Sequence, residues 1–385
     1  MQHKAPKSVA IITIHFGTNH GSVLQAYALS NYLDSIGYNA EIIDYVPERY
    51  KVWNSLVKKR SNKYPLPVII AYYPIAFCKS FRVRNKFECF VKKNLNLTKR
   101  YSSKQALQKE PPEAEVYITG SDQVWNNDYN GNDEFSYYLD FTTDDAKRIA
   151  YAASFGKEDI ADSNYLSVVK SHLQTFDAIS VRESNAQYIL NKIGINSVHV
   201  VDPVFLRTQQ QWKEFGTKYP KKEKYTLVYV MDGIYNELLE YAYKIKKETG
   251  NSIYVVSFTK IKDNRIDKSF HLADPKDFVG LIDNSDIVVT NSFHGTAFSV
   301  LFQKRFITIG KEKYNSRILS LLTKLKLENH FVPTGDNCDI KKIMTIIERQ
   351  HISHEEEILQ NWISTSKSFI QSEINKALLI KEIKE

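Results

Sequence analysis

Short runs of β-branched and apolar residues recur along this chain, each ending in a polar loop and followed by a helical pattern. The first run, 9–14 (VAIITI), reads as a buried strand. The loop His15-Phe16-Gly17-Thr18-Asn19-His20-Gly21 follows, then a helix predicted over 22–36. Val23, Leu24, Tyr27, Leu29, Leu33 and Ile36 give that helix an apolar stripe, and Gly37 stops it. Further strands are predicted over 40–45, 115–119, 148–153, 178–181 and 198–201, with a helix over 183–192. The pattern breaks into polar text with Gly216 and Pro220 over 207–224, then restarts. Strands are predicted over 227–231, 253–257, 286–290 and 306–309, and helices over 237–248, 274–282, 295–302, 315–325 and 355–383. Apolar runs alternating with helices fit doubly wound α/β units.

Two such units, a linker and a last helix describe an α/β fold of GT-B-like architecture: two Rossmann-like domains facing a cleft, with a C-terminal helix. The expected divisions are 1–206 (N-terminal, with a basic insertion over 49–104), 207–350 (C-terminal) and 351–385 (the final helix). Ligands in such folds sit at the carboxyl ends of strands, in the cleft. A chain of 385 residues is long enough for two cores.

Charge is uneven. The chain carries +8, but 49–104 holds 15 Lys/Arg and one acid, Glu88, so the remainder carries −6. Within that stretch, 65–77 (PLPVIIAYYPIAF) is apolar and aromatic but too short to span a bilayer. A basic segment beside an aromatic one suits peripheral contact with an anionic membrane; a solvated basic face over a buried connection is the other reading. No nucleic-acid motif accompanies the charge, so nucleic acid is not an expected partner. The start lacks a signal-peptide pattern, and Cys78, Cys89 and Cys338 form no CxxC pair. A cytoplasmic protein is expected, with the inner face of the membrane as the place of any peripheral contact.

Four segments carry candidate chemistry. In Thr290-Asn291-Ser292-Phe293-His294-Gly295-Thr296 a strand ends and a helix begins, where free amides and the macrodipole favour an anion. Ser292 and Thr296 supply hydroxyls, Gly295 allows close approach, and His294 can move a proton. The alternative is Ser292 as a cap and His294 as packing. Arg182, at a strand's carboxyl end, presents a planar fork to carboxylate or phosphate, unless it forms a surface pair with Glu183. Asn19-His20-Gly21-Ser22 has the geometry of a phosphate loop without G-x-G-x-x-G or the Walker lysine. In Thr119-Gly120-Ser121-Asp122-Gln123-Val124-Trp125-Asn126, polar groups beside an indole suit a sugar; a capped helix start with Trp125 in the core is the alternative. No G-x-S-x-G, HExxH or Asp-x-Asp occurs, so nothing supports a metal.

NHGSVLQAYAL (19–29), TGSDQVWN (119–126), AASFG (152–156), SVRE (180–183), DPVFL (202–206) and TNSFHGTAFSVLF (290–302) resemble the polysaccharide pyruvyl transferase family, from about Ile11 to Leu327. The resemblance implies transfer of pyruvate from phosphoenolpyruvate to a glycan, often as a ketal across two hydroxyls, with no further cofactor. It implies that Arg182 and His294 are catalytic and that Phe293 adjoins the donor. The helix start at Ser292, Gly295 and Thr296 would complete the donor site. Some family members carry a functional lysine downstream of the histidine, for which Lys311 and Lys313 are candidates here. Asn19, Gly21, Ser22, Asp122 and Trp125 would hold the acceptor, and a lipid-diphosphate-linked glycan would suit 49–104. A nucleotide-sugar-dependent glycosyltransferase of the same fold and an inactive glycan-binding homologue are the alternatives.

Overall fold

The computed structural model describes residues 7–50, 81–132, 134–220, 223–231, 234–258, 261–336, 339–348 and 353–384. The apolar segment 65–77 lies outside them.

The first sheet contains β1 (Ser8–Ile12), β2 (Asn39–Ile42), β3 (Val116–Thr119), β4 (Lys147–Ala153), β5 (Ala178–Val181) and β6 (Val198–His199). Its order is β2-β1-β3-β4-β5-β6, all parallel. The second contains β7 (Tyr225–Tyr229), β8 (Ser252–Val256), β9 (Lys268–Phe270), β10 (Ile287–Thr290), β11 (Arg305–Ile309) and β12 (Phe331–Val332). Its order is β12-β11-β10-β7-β8-β9, again all parallel. Parallel strands need both faces covered, which is why these runs are apolar rather than alternating. The fold is GT-B-like, as the sequence pattern predicts.

Each sheet reverses its winding once, between β1 and β3 in the first and between β7 and β10 in the second. Ligand crevices of open α/β sheets form at such points, outside the carboxyl ends of the strands. The helix His20–Ser35 leaves the first reversal and the helix Phe293–Leu301 leaves the second. These helices pack on each other, and one apolar core runs through both halves, joining Val23 and Leu24 to Trp212, Phe278 and Phe298.

Several boundaries differ from the sequence reading for identifiable reasons. The first helix begins at His20, because Asn19 Oδ1 accepts from the Gly21 and Ser22 amides and so acts as its cap. The helix expected from 295 begins at Phe293, capped by Ser292. β6 stops at His199; the Val201 N–H donates instead to Ser366 Oγ of the last helix, Ser353–Lys384. That helix returns to the first sheet, where Trp362 Nε1 donates to His199 O and Tyr38 Oη to Asn375 Oδ1. The helix Ser163–Leu173 is an addition: Asp162 caps it through the Tyr165 amide, and Tyr165, Leu166, Val169 and Leu173 are buried. Of the basic stretch, 81–94 is helical. It buries Val83, Phe87, Phe90 and Val91, and Lys86 Nζ reaches Leu272 O of the second half.

Candidate active site

The two reversal points face each other. His294, in the first turn after β10, lies against Gly21, in the first turn after β1; a Cβ on Gly21 would overlap the imidazole ring. Gly21 is therefore the surface on which His294 rests, and any larger residue must displace it. Gly295 meets a similar demand, since a Cβ there would overlap the Thr290 side chain.

Three strands of the first sheet deliver charged groups to this point. β5 ends in Arg182 and Glu183, β3 leads to Ser121 and Asp122, and β6 leads to Asp202. Arg182 is 2% exposed, Glu183 0%, Asp202 2% and His294 4%. The surface pair between Arg182 and Glu183 is thus excluded. Arg182 NH1 donates to Asp202 Oδ2 at 2.8 Å, and NH2 lies 3.6 Å from Asp122 Oδ1. Its guanidinium stacks on the Phe293 ring, 4.5 Å from the centroid, so Phe293 meets the site through its side chain. Asp202 Oδ2 also accepts from Ser121 Oγ at 3.0 Å and lies 3.7 Å from His294 Nε2; Oδ1 accepts from the Val204 amide. Glu183 turns away from the helix it precedes and accepts from Ser154 Oγ and the Gly156 amide.

The carboxylates are held in different states. Burial alone would raise Asp202, but His294 and Arg182 beside it outweigh burial and hold it well below the ordinary range. Burial likewise opposes ionisation of Asp122, and Arg182, His294 and Arg317 overcome it. Glu183 is raised by burial, which Arg182 offsets only in part. The Arg182 guanidinium is pushed up, since Asp202, Asp122 and Glu183 outweigh its desolvation.

The backbone is bent to make this arrangement. Asp122 has φ 73° and forms an isolated bridge with Ala153; Ala152 has φ 54°, beside a register shift between β4 and β5. Left-handed backbone at residues with a Cβ costs about 1 kcal/mol each, and such strain gathers at functional sites. Here it turns the Asp122 carboxylate toward Arg182 and toward Ser22, whose Oγ donates to Asp122 Oδ2.

Acceptor oxygens in the cluster are largely satisfied, whereas donors are not. Arg182 Nε and NH2, His294 Nε2 and Arg317 Nε are buried without a hydrogen-bond partner; Glu183 Oε2 is the unmatched acceptor. Unpaired buried donors are costly, so this excess is what an anionic or oxygen-rich ligand would satisfy.

The other sequence candidates have structural partners or lie in the loop after β11. Trp125 is buried on Tyr138 and Phe155 and donates Nε1–H to Tyr137 O, so its indole stacks on core aromatics rather than on a sugar. Asn19 is spent as a cap. The hydroxyls of Ser292 and Thr296 are also engaged: Ser292 Oγ accepts from the Gly295 amide, and Thr296 Oγ1 bonds Ser292 O and Thr308 Oγ1. Lys311 and Lys313 lie in the loop after β11, where Lys311 is half-buried and Lys313 exposed. Asp202 and Arg317 carry no role in the sequence reading. Asp202 was visible as the aspartate of Asp-Pro after a strand; Arg317 had no signal beyond its charge on an amphipathic helix.

A family model described as polysaccharide pyruvyl transferase matches residues 19–311. No curated protein matches the chain by sequence. Among solved structures, the chain is similar to UDP-N-acetylglucosamine 2-epimerase from Rickettsia bellii, with TM-score 0.52, 12% identity, and 97% of each chain covered. It is also similar to UDP-GlcNAc 2-epimerase from Neisseria meningitidis bound to UDP-GlcNAc, with TM-score 0.50, 8% identity, and 96% of this chain and 100% of that one covered. At those identities the likeness concerns the fold. The matched span includes Gly21, Asp122, Arg182, Asp202 and His294, and the chain belongs to the polysaccharide pyruvyl transferase family.

Proposed function

We propose that the chain transfers pyruvate from phosphoenolpyruvate to two hydroxyls of a sugar in a surface-polysaccharide precursor, forming a ketal and releasing phosphate. The observation that carries this reading is the set of buried, unpartnered donors of Arg182 beside His294, in a chain of this family. Phosphoenolpyruvate bears a carboxylate and a phosphate, and a guanidinium fork matches either.

In this reading a proton adds to C3 of the enol, C2 becomes electrophilic, and a sugar hydroxyl attacks C2 as it gives up its proton. The C2–O bond to phosphate breaks with its electron pair leaving on phosphate. A second hydroxyl then closes the ketal, and its proton leaves with phosphate. The balance needs no other cofactor. His294 is the group placed to move a proton, as donor to C3 or as base for the hydroxyl, and such a group contributes ~10²–10⁴-fold. Arg182 binds the donor and stabilises charge on the departing phosphate.

Ser22 and Asp122, on the first-sheet side, are the proposed acceptor contacts. We place a lipid-diphosphate-linked glycan there because the helix over 81–94 exposes Phe81, Arg82, Lys92 and Lys93, chemistry that suits an anionic membrane surface. Among the described residues no helix is long and apolar enough to cross a membrane.

The test is incubation with phosphoenolpyruvate and a panel of sugar diols, free and lipid-linked, followed by phosphorus NMR and mass spectrometry. The expected result is acceptor-dependent phosphate release, with a product heavier by one pyruvate less one water. Turnover of a nucleotide sugar, with phosphoenolpyruvate untouched, would replace this reading.

A further inference from the structure

Arg317 is a cation that the proposed chemistry above does not use; its side chain is 15% exposed, with Nε buried. It lies in the first turn of the helix Ser316–Lys324, in the second half of the molecule, whereas Arg182 belongs to the first sheet. Arg317 NH1 and Arg182 NH2 approach the same oxygen, Asp122 Oδ1, at 4.0 and 3.6 Å. Burial, and then the like charge of Arg182, push the Arg317 guanidinium below its ordinary value. A cation in the first helical turn also opposes the macrodipole.

Asp122 and Glu183 offset this placement only in part. Asp122 Oδ2 is taken by Ser22 Oγ and Oδ1 by the Gln123 amide, while Arg317 Nε, Arg182 Nε and Arg182 NH2 remain without hydrogen-bond partners. Two like charges with unspent donors, one from each half, are satisfied together by a group with several acceptor oxygens and at least two negative charges.

We infer that Arg317 is the second anion ligand of the site, so that one phosphate group is clamped between Arg182 and Arg317 and ties the two halves together. A phosphate suits this span better than a carboxylate, since three oxygens let each guanidinium take its own acceptor. The inference assigns the phosphate of the proposed donor to Arg317 and, to that extent, rests on the phosphoenolpyruvate reading. The clamp itself requires only a phosphate.

The experiment measures binding of inorganic phosphate and of phosphoenolpyruvate by calorimetry in wild type, Arg317→Gln, Arg317→Lys and Arg265→Gln. Arg265 pairs with Asp263 and Glu240 near the surface and serves as the control. The expected result is about 10- to 100-fold weaker binding of both ligands in Arg317→Gln, a smaller loss in Arg317→Lys and none in Arg265→Gln. Ligand-free Arg317→Gln should melt no lower than wild type, because it loses a charge whose burial and repulsion outweigh the attraction of Asp122 and Glu183; a purely structural arginine would leave a less stable protein with unchanged affinity. Unchanged affinity in Arg317→Gln, or a loss found only in Lys311→Ala or Lys313→Ala, would overturn the inference even if phosphoenolpyruvate binds. Arg317-dependent binding of phosphate without phosphoenolpyruvate binding would keep the clamp and remove the proposed donor. Binding of neither ligand by wild type would remove both.

Discussion

Asp202 approaches both Arg182 and His294, and its charge does more than balance theirs. It anchors NH1 of Arg182 and stands 3.7 Å from His294 Nε2, with its own oxygens fixed by Ser121 and the Val204 amide. Asp202→Asn keeps the size and removes the charge. Transfer should fall about 10- to 100-fold, chiefly in kcat, as expected for a charge-assisted contact in the reacting geometry. Steady-state kinetics with saturating acceptor reads this split. Gly21→Ala acts from the other side: its methyl group displaces His294, so transfer should fall to the level of His294→Ala while circular dichroism stays native. A Gly21→Ala enzyme with wild-type turnover would show that His294 need not rest there.

At the scale of elements, the sequence separates what repeats from what converges. Apolar runs such as VAIITI and DIVVT mark parallel strands because both of their faces must be covered, and this local demand leaves a local signature. Arg182 and His294 were legible because each stands where a strand meets a helix. Asp202 and Arg317 were not, because their roles arise only when β6 lies beside β5 and the second half closes over the first. Trp125 misled because a tryptophan among polar residues has the same sequence whether it faces a sugar or Tyr138. The helix Ser163–Leu173 shows an overlooked signal, an Asp162 cap ahead of a helical apolar stripe. β6 ends early because Ser366 takes the Val201 amide, a contact across 165 residues. Ser366→Ala should leave that buried amide unpaired and cost about 1–3 kcal/mol. A lower melting temperature with unchanged phosphoenolpyruvate affinity would fit this role.

Across the whole molecule, the halves meet through neutral histidine as well as through charge. His20 is sandwiched between Phe258 and Phe278; Nε2 donates to Ala273 O at 2.9 Å and Nδ1 accepts from Tyr229 Oη at 3.1 Å. Burial pushes its pKa down to about 4, against only partial opposition from the Ala273 bond. Above pH 6.5 the ring is neutral folded or unfolded and adds no pH dependence. Between pH 6.5 and 4 the unfolded chain takes up a proton that the folded one refuses, so stability falls, by about 3 kcal/mol at pH 4. His199, lowered to about 4 by burial, acts with the same sign. Glu183, raised by burial, acts with the opposite sign, so the difference between wild type and His20→Gln isolates His20. Melting curves should show a smaller acid loss in His20→Gln across that window.

The proposed transfer requires that phosphoenolpyruvate bind where the two halves meet, held by Arg182. Thermal unfolding with phosphoenolpyruvate, beside UDP and GDP, tests it most directly, because ligand at 100 times its dissociation constant stabilises by ~2.7 kcal/mol. The expected result is a rise in melting temperature with phosphoenolpyruvate alone, lost in Arg182→Ala. A rise with either nucleotide and none with phosphoenolpyruvate would contradict it.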